Sequence, residues 1–302
     1  MNTFDIKKIL IPVDFSETGK KAISQAIIMA KRNDATIALL HVAENLSDTY
    51  GPDYLGMSKS ISDEFEAKLH VGIEESMDML KEDIIKQGVR NVECYLESGK
   101  VYKAINKVAK DIEADIIMMG THGVSGLKEI FVGSNTFKLI SVTTCPVLSL
   151  QSEGPKDGFS SILLPFRDRP HSRESVEYAI RMAKMFDATI HVLGINIDPD
   201  KEAESKVKYE AEQIKGILEK RGIKYTIDIL TDGFVANLIL SFAKNIKADL
   251  IVIMADLDKM ELKQYFLGPV SQQIVNHSAI PVLSIHPAFH ITYINQANPI
   301  MN

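Results

Sequence analysis

The sequence predicts an α/β protein built as two tandem, doubly wound domains, each on a mostly parallel sheet. Three observations carry that prediction. Short apolar runs alternate with longer stretches of helical periodicity, the pattern of βαβ units joined by right-handed crossovers. The pattern runs through twice within the 302 residues. One apolar run ends in a glycine whose loop leads to a Gly-Ser pair opening a helix, the arrangement by which backbone N–H groups and a helix N-terminus hold phosphate.

The elements follow in order. Residues 7–14, Lys-Lys-Ile-Leu-Ile-Pro-Val-Asp, read as a short buried strand. Ser16 is a candidate N-cap for a helix over 18–32, where Ala22, Ile23, Ala26, Ile27 and Ala30 share one face. Residues 35–42 form a second strand. Residues 44–60, with Gly51, Pro52 and Gly56, read as a long loop that is either a lid at the ligand end or a plain insertion. A helix over 61–88, a strand from Val92 to Leu96, a break at Gly99 and a helix over 100–112 come next. The run 114–119 is a fourth strand, a helix starts after Ser134, and 145–150 is a last strand.

After a linker at 151–158 the order repeats. Ile9-Leu10-Ile11-Pro12 returns as Ile162-Leu163-Leu164-Pro165, and Asp34-Ala35-Thr36-Ile37 as Asp187-Ala188-Thr189-Ile190, both at an offset of 153. Ala114-Asp115 returns as Ala248-Asp249 and Pro146-Val147-Leu148-Ser149 as Pro281-Val282-Leu283-Ser284, where the offset has fallen to 134 and 135. The second copy is therefore about 19 residues shorter, most simply by loss of the loop at 44–60 and part of the next helix. Residues 287–302 have no counterpart and read as a surface tail.

Composition sets bounds on function. Hydrophobic residues make up 45% and charged residues 25%, as in ordinary globular domains. A net charge of -6 argues against a surface built for nucleic acid or anionic lipid. Cys94 and Cys145 form no CxxC pair, so a disulfide framework is not expected. No apolar run approaches the roughly 18–20 residues of a membrane span. The N-terminus lacks the apolar core of a signal peptide, and the expected location is the cytoplasm.

The loop after the fourth strand carries the chemistry. Gly120 and Gly123 have no Cβ, which lets backbone approach a ribose-phosphate and adopt positive φ. Gly133-Ser134 places the N–H groups of Ser134 and Asn135 at a helix N-terminus, suited to polyphosphate; the alternative for Ser134 is a plain N-cap. His122 lies inside the loop and faces either phosphate or solvent. Asp14 ends the first strand and offers only acceptors; its alternative role is an N-cap for the helix near Ser16.

The first half resembles the universal stress protein family, and the whole chain resembles its tandem, two-domain form. The match rests on Pro12-Val13-Asp14 followed by Phe15-Ser16-Glu17, on Leu40-His41-Val42, and on the spacing of Gly120, Gly123, Gly133 and Ser134, which fits the nucleotide signature of that family. The resemblance implies five strands per domain in order 3-2-1-4-5, an adenine nucleotide alpha hydrolase-like fold, with a ligand crevice where the order reverses between strands 1 and 4. It implies binding of ATP, with or without Mg2+. Asp14 would then hydrogen-bond the nucleotide while Pro12, Val13, Val42 and Met119 flank adenine; taken alone these four read as core residues. Residues 1–151 would form a domain with an intact site and 159–286 a degenerate one. The fifth strands, which in the family pair across a two-fold, would join the two domains, leaving open a further homodimer.

The second copy departs from the signature. Asp14 becomes Arg167, Gly120 becomes Met254, Gly123 falls on Leu257 or Asp258, and Ser134 becomes Pro269, which has no N–H; Gly133 persists as Gly268. The expectation is one ATP site per chain, in the first domain. Arg167, Arg169 and His171 read either as an anion site of the second domain or as a solvated basic loop.

Other chemistries fit poorly. Ser98-Gly99-Lys100 fails the Walker pattern because Cys94 and Val101 stand where glycine and a hydroxyl residue belong. No GxGxxG or GxSxG occurs and no Cys/His cluster stands out, so neither metal ligands nor catalytic residues are assigned. The expected role is regulatory binding of an adenine nucleotide. A weak ATPase and a nucleotide-independent interaction module are the alternatives.

Overall fold

A computed structural model describes residues 6–43, 59–121, 133–167, 174–198, 200–255, 257–259 and 265–287. The first repeat contains β1 (Lys8–Pro12), α1 (Glu17–Asn33), β2 (Thr36–Ala43), α2 (Lys59–Lys86), β3 (Val92–Ser98), α3 (Val101–Asp111), β4 (Ile116–Gly120), α4 (Ser134–Val142) and β5 (Val147–Leu150). The second contains β6 (Ser161–Phe166), α5 (Glu174–Phe186), β7 (Thr189–Ile195), α6 (Lys201–Lys220), β8 (Tyr225–Leu230), α7 (Val235–Asn245) and β9 (Leu250–Met254). It continues with a small antiparallel hairpin, β10 (Leu257–Lys259) and β11 (Tyr265–Leu267), and closes with α8 (Pro269–His277) and β12 (Val282–Ile285).

All strands but the hairpin form one sheet of ten, in order β3-β2-β1-β4-β5-β12-β9-β6-β7-β8. Each half has the order 3-2-1-4-5 with parallel neighbours, and the halves meet where β5 pairs antiparallel with β12 through Val282↔Ser149 and Ser284↔Val147. The apolar strands follow from burial on both faces. Ile9 and Ile11 face one layer with α1 and α2, while Leu10 faces the other with α3 and α4. Both apolar layers continue from one half into the other.

The repeated sequence markers have physical causes. Asp34 and Asp187 end α1 and α5 at φ 52° and 55°, the left-handed conformation that a short polar residue tolerates. Asp115 accepts hydrogen bonds from the backbone N–H of Lys7 (2.7 Å) and Lys8 (2.9 Å), fixing the start of β1 beside β4. Asp249 does the same for β6, accepting from Ser160 N (2.7 Å), Ser160 Oγ (2.6 Å) and Ser161 N (2.9 Å). The shortening of the second copy lies after its second strand. Residues 196–200 join β7 to α6 where 44–58 stand in the first copy, and α6 has 20 residues against 28 in α2. The loop at 44–60 thus falls mainly outside the described residues, as does the tail beyond 287.

The junction is clasped on both sides of its pseudo-two-fold. Gln151 Nε2 donates to the carbonyls of Val275 (2.8 Å) and Asn276 (2.6 Å) at the end of α8. His286, at the matching position after β12, hydrogen-bonds the backbone of Ser141 near the end of α4, and burial lowers its pKa. Arg32 adds a third contact: it donates to Asp157 O (3.0 Å) and Met185 O (3.3 Å) and stacks 5.0 Å from the Phe186 ring centroid. β11 packs beside α4 of the other half. Among the described residues no helix is long and apolar enough to cross a membrane.

Asp249→Ala removes a charged acceptor from three donors. Its expected cost is about 2 kcal/mol of unfolding free energy, read from urea denaturation.

Candidate functional site at the carboxyl ends of β1 and β4

The order reverses between β1 and β4, so the crevice expected in such a sheet opens at their carboxyl ends. The register Ile9↔Ile116 and Leu10↔Ile117 places Val13 and Asp14 at the same end as Gly120. Val13 N donates to Leu40 O (2.8 Å), which brings the β2 end with Val42 alongside. Gly133 N donates to Thr121 O (2.7 Å) and ties the start of α4 to the end of β4. Pro12, Val13, Asp14, Val42, Met119, Gly120, Gly133, Ser134 and Asn135 therefore gather at one end of the sheet. His122 and Gly123 lie outside the described residues.

The turn between β1 and α1 is tightly braced. Ser16 is the N-cap, with its Oγ accepting from Gly19 N (3.1 Å). Asp14 does not cap the helix itself; its Oδ1 accepts from Ser16 N (3.0 Å) and Ser16 Oγ (2.6 Å) and so orients the cap. Its other carboxylate oxygen has no partner among the described residues, and the side chain is exposed. Between them, Phe15 takes φ 57°, costly for a bulky residue, and lays its ring 5.4 Å from that of His41. His41 Nδ1 lies 2.8 Å from Val13 O, which fixes it as the protonated, donating nitrogen. Sequence reasoning noted Phe15 and His41 only as motif residues; nothing in their identity signals the left-handed turn.

The structure revises the reason for one glycine. Gly120 has no positive φ; a Cβ there would stand 2.7 Å from Thr18 C and 2.8 Å from Thr18 O. It is glycine because the first turn of α1 crosses the end of β4 at backbone contact. The cap assignment at α4 also changes. Gly133 is the N-cap, with no side-chain cap, and Ser134 is the first helical residue, so the alternative of Ser134 as a plain N-cap does not hold. Ser134 is exposed, and the opening turn carries no acidic residue. An uncapped, uncompensated helix N-terminus is what an anion uses.

The apolar positions divide. Met119 and Val13 are buried in the core, Met119 with Leu139 and Ile140, while Pro12 and Val42 are half-buried at the crevice. Neither thiol is poised for chemistry. Burial pushes Cys94 up, and Cys145, fully buried and donating to Ala114 O (3.1 Å), is raised well above the ordinary thiol range. Among the described residues no group of His, Cys, Asp or Glu converges on a metal position.

In the second domain the matching end is built differently. Met254 packs half-buried against the core where Gly120 stands in the first. The hairpin β10–β11 follows it, pairing Leu257↔Leu267. Gly268 caps α8, but Pro269 occupies its first position.

Gly120→Ala is expected to destabilise the fold by about 1–3 kcal/mol through overpacking against Thr18. At Gly133 an added Cβ meets only Thr121 O, at 3.4 Å, so Gly133→Ala stays within about 1 kcal/mol of the parent. Chemical denaturation of the two variants measures the difference.

Comparison with known proteins adds ancestry to this geometry. The model of the universal stress protein family matches twice, over residues 5–150 and 158–286. A Staphylococcus saprophyticus protein bearing the universal stress name is 32% identical over 158 residues, 51% of this chain and 88% of its own. A Staphylococcus aureus relative of the same name is 35% identical over 149 residues, 49% of this chain and 85% of its own. Among solved structures, a universal stress protein from Archaeoglobus fulgidus superposes with a TM-score of 0.74 at 20% identity, covering 94% of this chain and 97% of its own. That likeness concerns the fold.

Proposed function

The chain belongs to the universal stress protein family, and from that membership we propose that its first domain binds ATP as a regulatory ligand rather than as a substrate turned over efficiently. One observation carries the reading. The N-terminus of α4, capped only by Gly133, is tied by the Gly133–Thr121 hydrogen bond to the end of β4 at the topological switch point. The N–H groups of Ser134 and Asn135 would hold phosphate, and the Ser134 hydroxyl would add a bond. Asp14 would use its second oxygen on a ribose hydroxyl or an adenine amino group. Pro12 and Val42 would flank the base, with Val13 and Met119 supporting from the core. His122 and Gly123 belong to the proposed set through the spacing of the signature. Mg2+ would accompany the phosphates, and no side chain of the described set is placed as a general base. The protein would act in the cytoplasm, passing its nucleotide state to stress physiology.

Ser134→Pro is the sharp test, because the second domain carries proline at that position of an intact helix. The expected result is one ATP site per chain in equilibrium binding with labelled nucleotide, weakened about tenfold or more by Ser134→Pro at unchanged stability. Two sites, or unchanged affinity in the variant, would contradict the proposal. Phosphate release with and without Mg2+ separates binding from turnover; sustained release lost in Ser134→Pro would favour an ATPase.

A further inference from the structure

The second domain has lost the features of a phosphate site, yet it holds an open cavity of about 470 Å3 at the carboxyl ends of β6 and β7. That is within the roughly 300–1,000 Å3 of small-molecule sites. Its lining includes Arg167 after β6, then Ile195, Asn196, Ile197 and Asp198 from the end of β7, and Ala203 and Val207 from α6. The repeat offset of 153 maps Asp14 onto Arg167 and Val42 onto Ile195, so the cavity occupies the position where the first domain gathers Asp14 and Val42.

The wall at the end of β7 is braced by hydrogen bonds. Asn196 Oδ1 accepts from Asp198 N (3.1 Å), Asp198 Oδ1 from Asp200 N (3.0 Å), and Asp200 Oδ1 from Glu202 N (3.2 Å), a chain of three Asx turns leading into α6. Asn196 is 7% exposed, and its amide nitrogen has no partner among the described residues. That leaves the amide as a donor for whatever occupies the cavity that Asn196 lines.

We propose that this cavity binds a small organic acid: one carboxylate, one hydroxyl or amino group beside it, and a branched apolar chain. The Arg167 guanidinium takes the carboxylate, with the Asn196 amide as a second donor. The Asp198 carboxylate accepts from the ligand's hydroxyl or amino group, and it disfavours a phosphate dianion, which brings a second negative charge beside it. Ile197 and Ala203 meet the apolar chain, over a floor closed by the buried Ile195 and Val207. A nucleotide does not fit the same end, because Pro269 offers no N–H and Met254 stands where Gly120 lies in the first domain. Arg169 and His171 lie outside the described residues.

The test is titration of the full chain with L-leucine, 2-hydroxyisocaproate, isocaproate and inorganic phosphate, read by calorimetry and by thermal shift. L-Leucine or 2-hydroxyisocaproate should bind, isocaproate more weakly for want of the donor, and phosphate not at all. Arg167→Met should weaken the bound acid about tenfold or more, and Ala203→Phe, which fills the cavity from α6, should abolish binding. The cooperative thermal unfolding of each variant without ligand, compared with the parent, checks that both are folded. Failure of both acids to bind, tighter binding of phosphate than of either acid, or binding that persists in both folded variants overturns the proposal.

Discussion

The antiparallel hydrogen bonds between β5 and β12 are the constraint on which the architecture depends. Each domain, alone, would expose its fifth strand as an apolar edge with unpaired backbone groups. Joined, the two edges satisfy one another, and the apolar layers on both faces run through without a break. Gln151 and His286 then cap helix ends across the seam, each from the residue following its own fifth strand. The linker is held as well: Ser152 Oγ donates to Ala279 O (2.6 Å), and Arg32 reaches Asp157 O. The halves therefore form one body around a seam.

Much of this was legible in the sequence because the markers of the repeat are residues with fixed local jobs. Asp34 and Asp187 recur because each ends a helix in the left-handed region, and Asp115 and Asp249 because each anchors a neighbouring strand. Strands buried on both faces must be apolar throughout, so they stand out from the amphipathic helices around them. What stayed hidden depends on contacts distant in sequence. Gly120 reads as a ligand-loop glycine, yet its missing Cβ makes room for Thr18, about a hundred residues earlier. The left-handed turn at Phe15 is set by the cap, by Asp14 and by His41 together, none of which predicts it alone. The cavity of the second domain is walled by the short connection between β7 and α6, which an alignment of the copies records only as a gap.

The two ligand ends now read as variations on one frame. In the first, an uncapped helix N-terminus and a carboxylate with a spare oxygen lie at the topological switch point. In the second, proline removes a donor, a methionine replaces the strand-end glycine, and an arginine stands in for the carboxylate. These changes reverse the polarity of what each end offers while leaving the sheet order unaltered, which is how a fold carries different sites without changing its core.

Helix α1 gains a mechanical meaning from the contact at Gly120. Its first turn bears on the end of β4 at backbone distance, and its last turn carries Arg32, which grips the linker and the end of α5. Seventeen residues at 1.5 Å each make a rod of about 25 Å between those two points. The rod has no room to slide at one end and is bolted at the other. It acts as a strut that links the end of β4 to the linker ahead of the second domain.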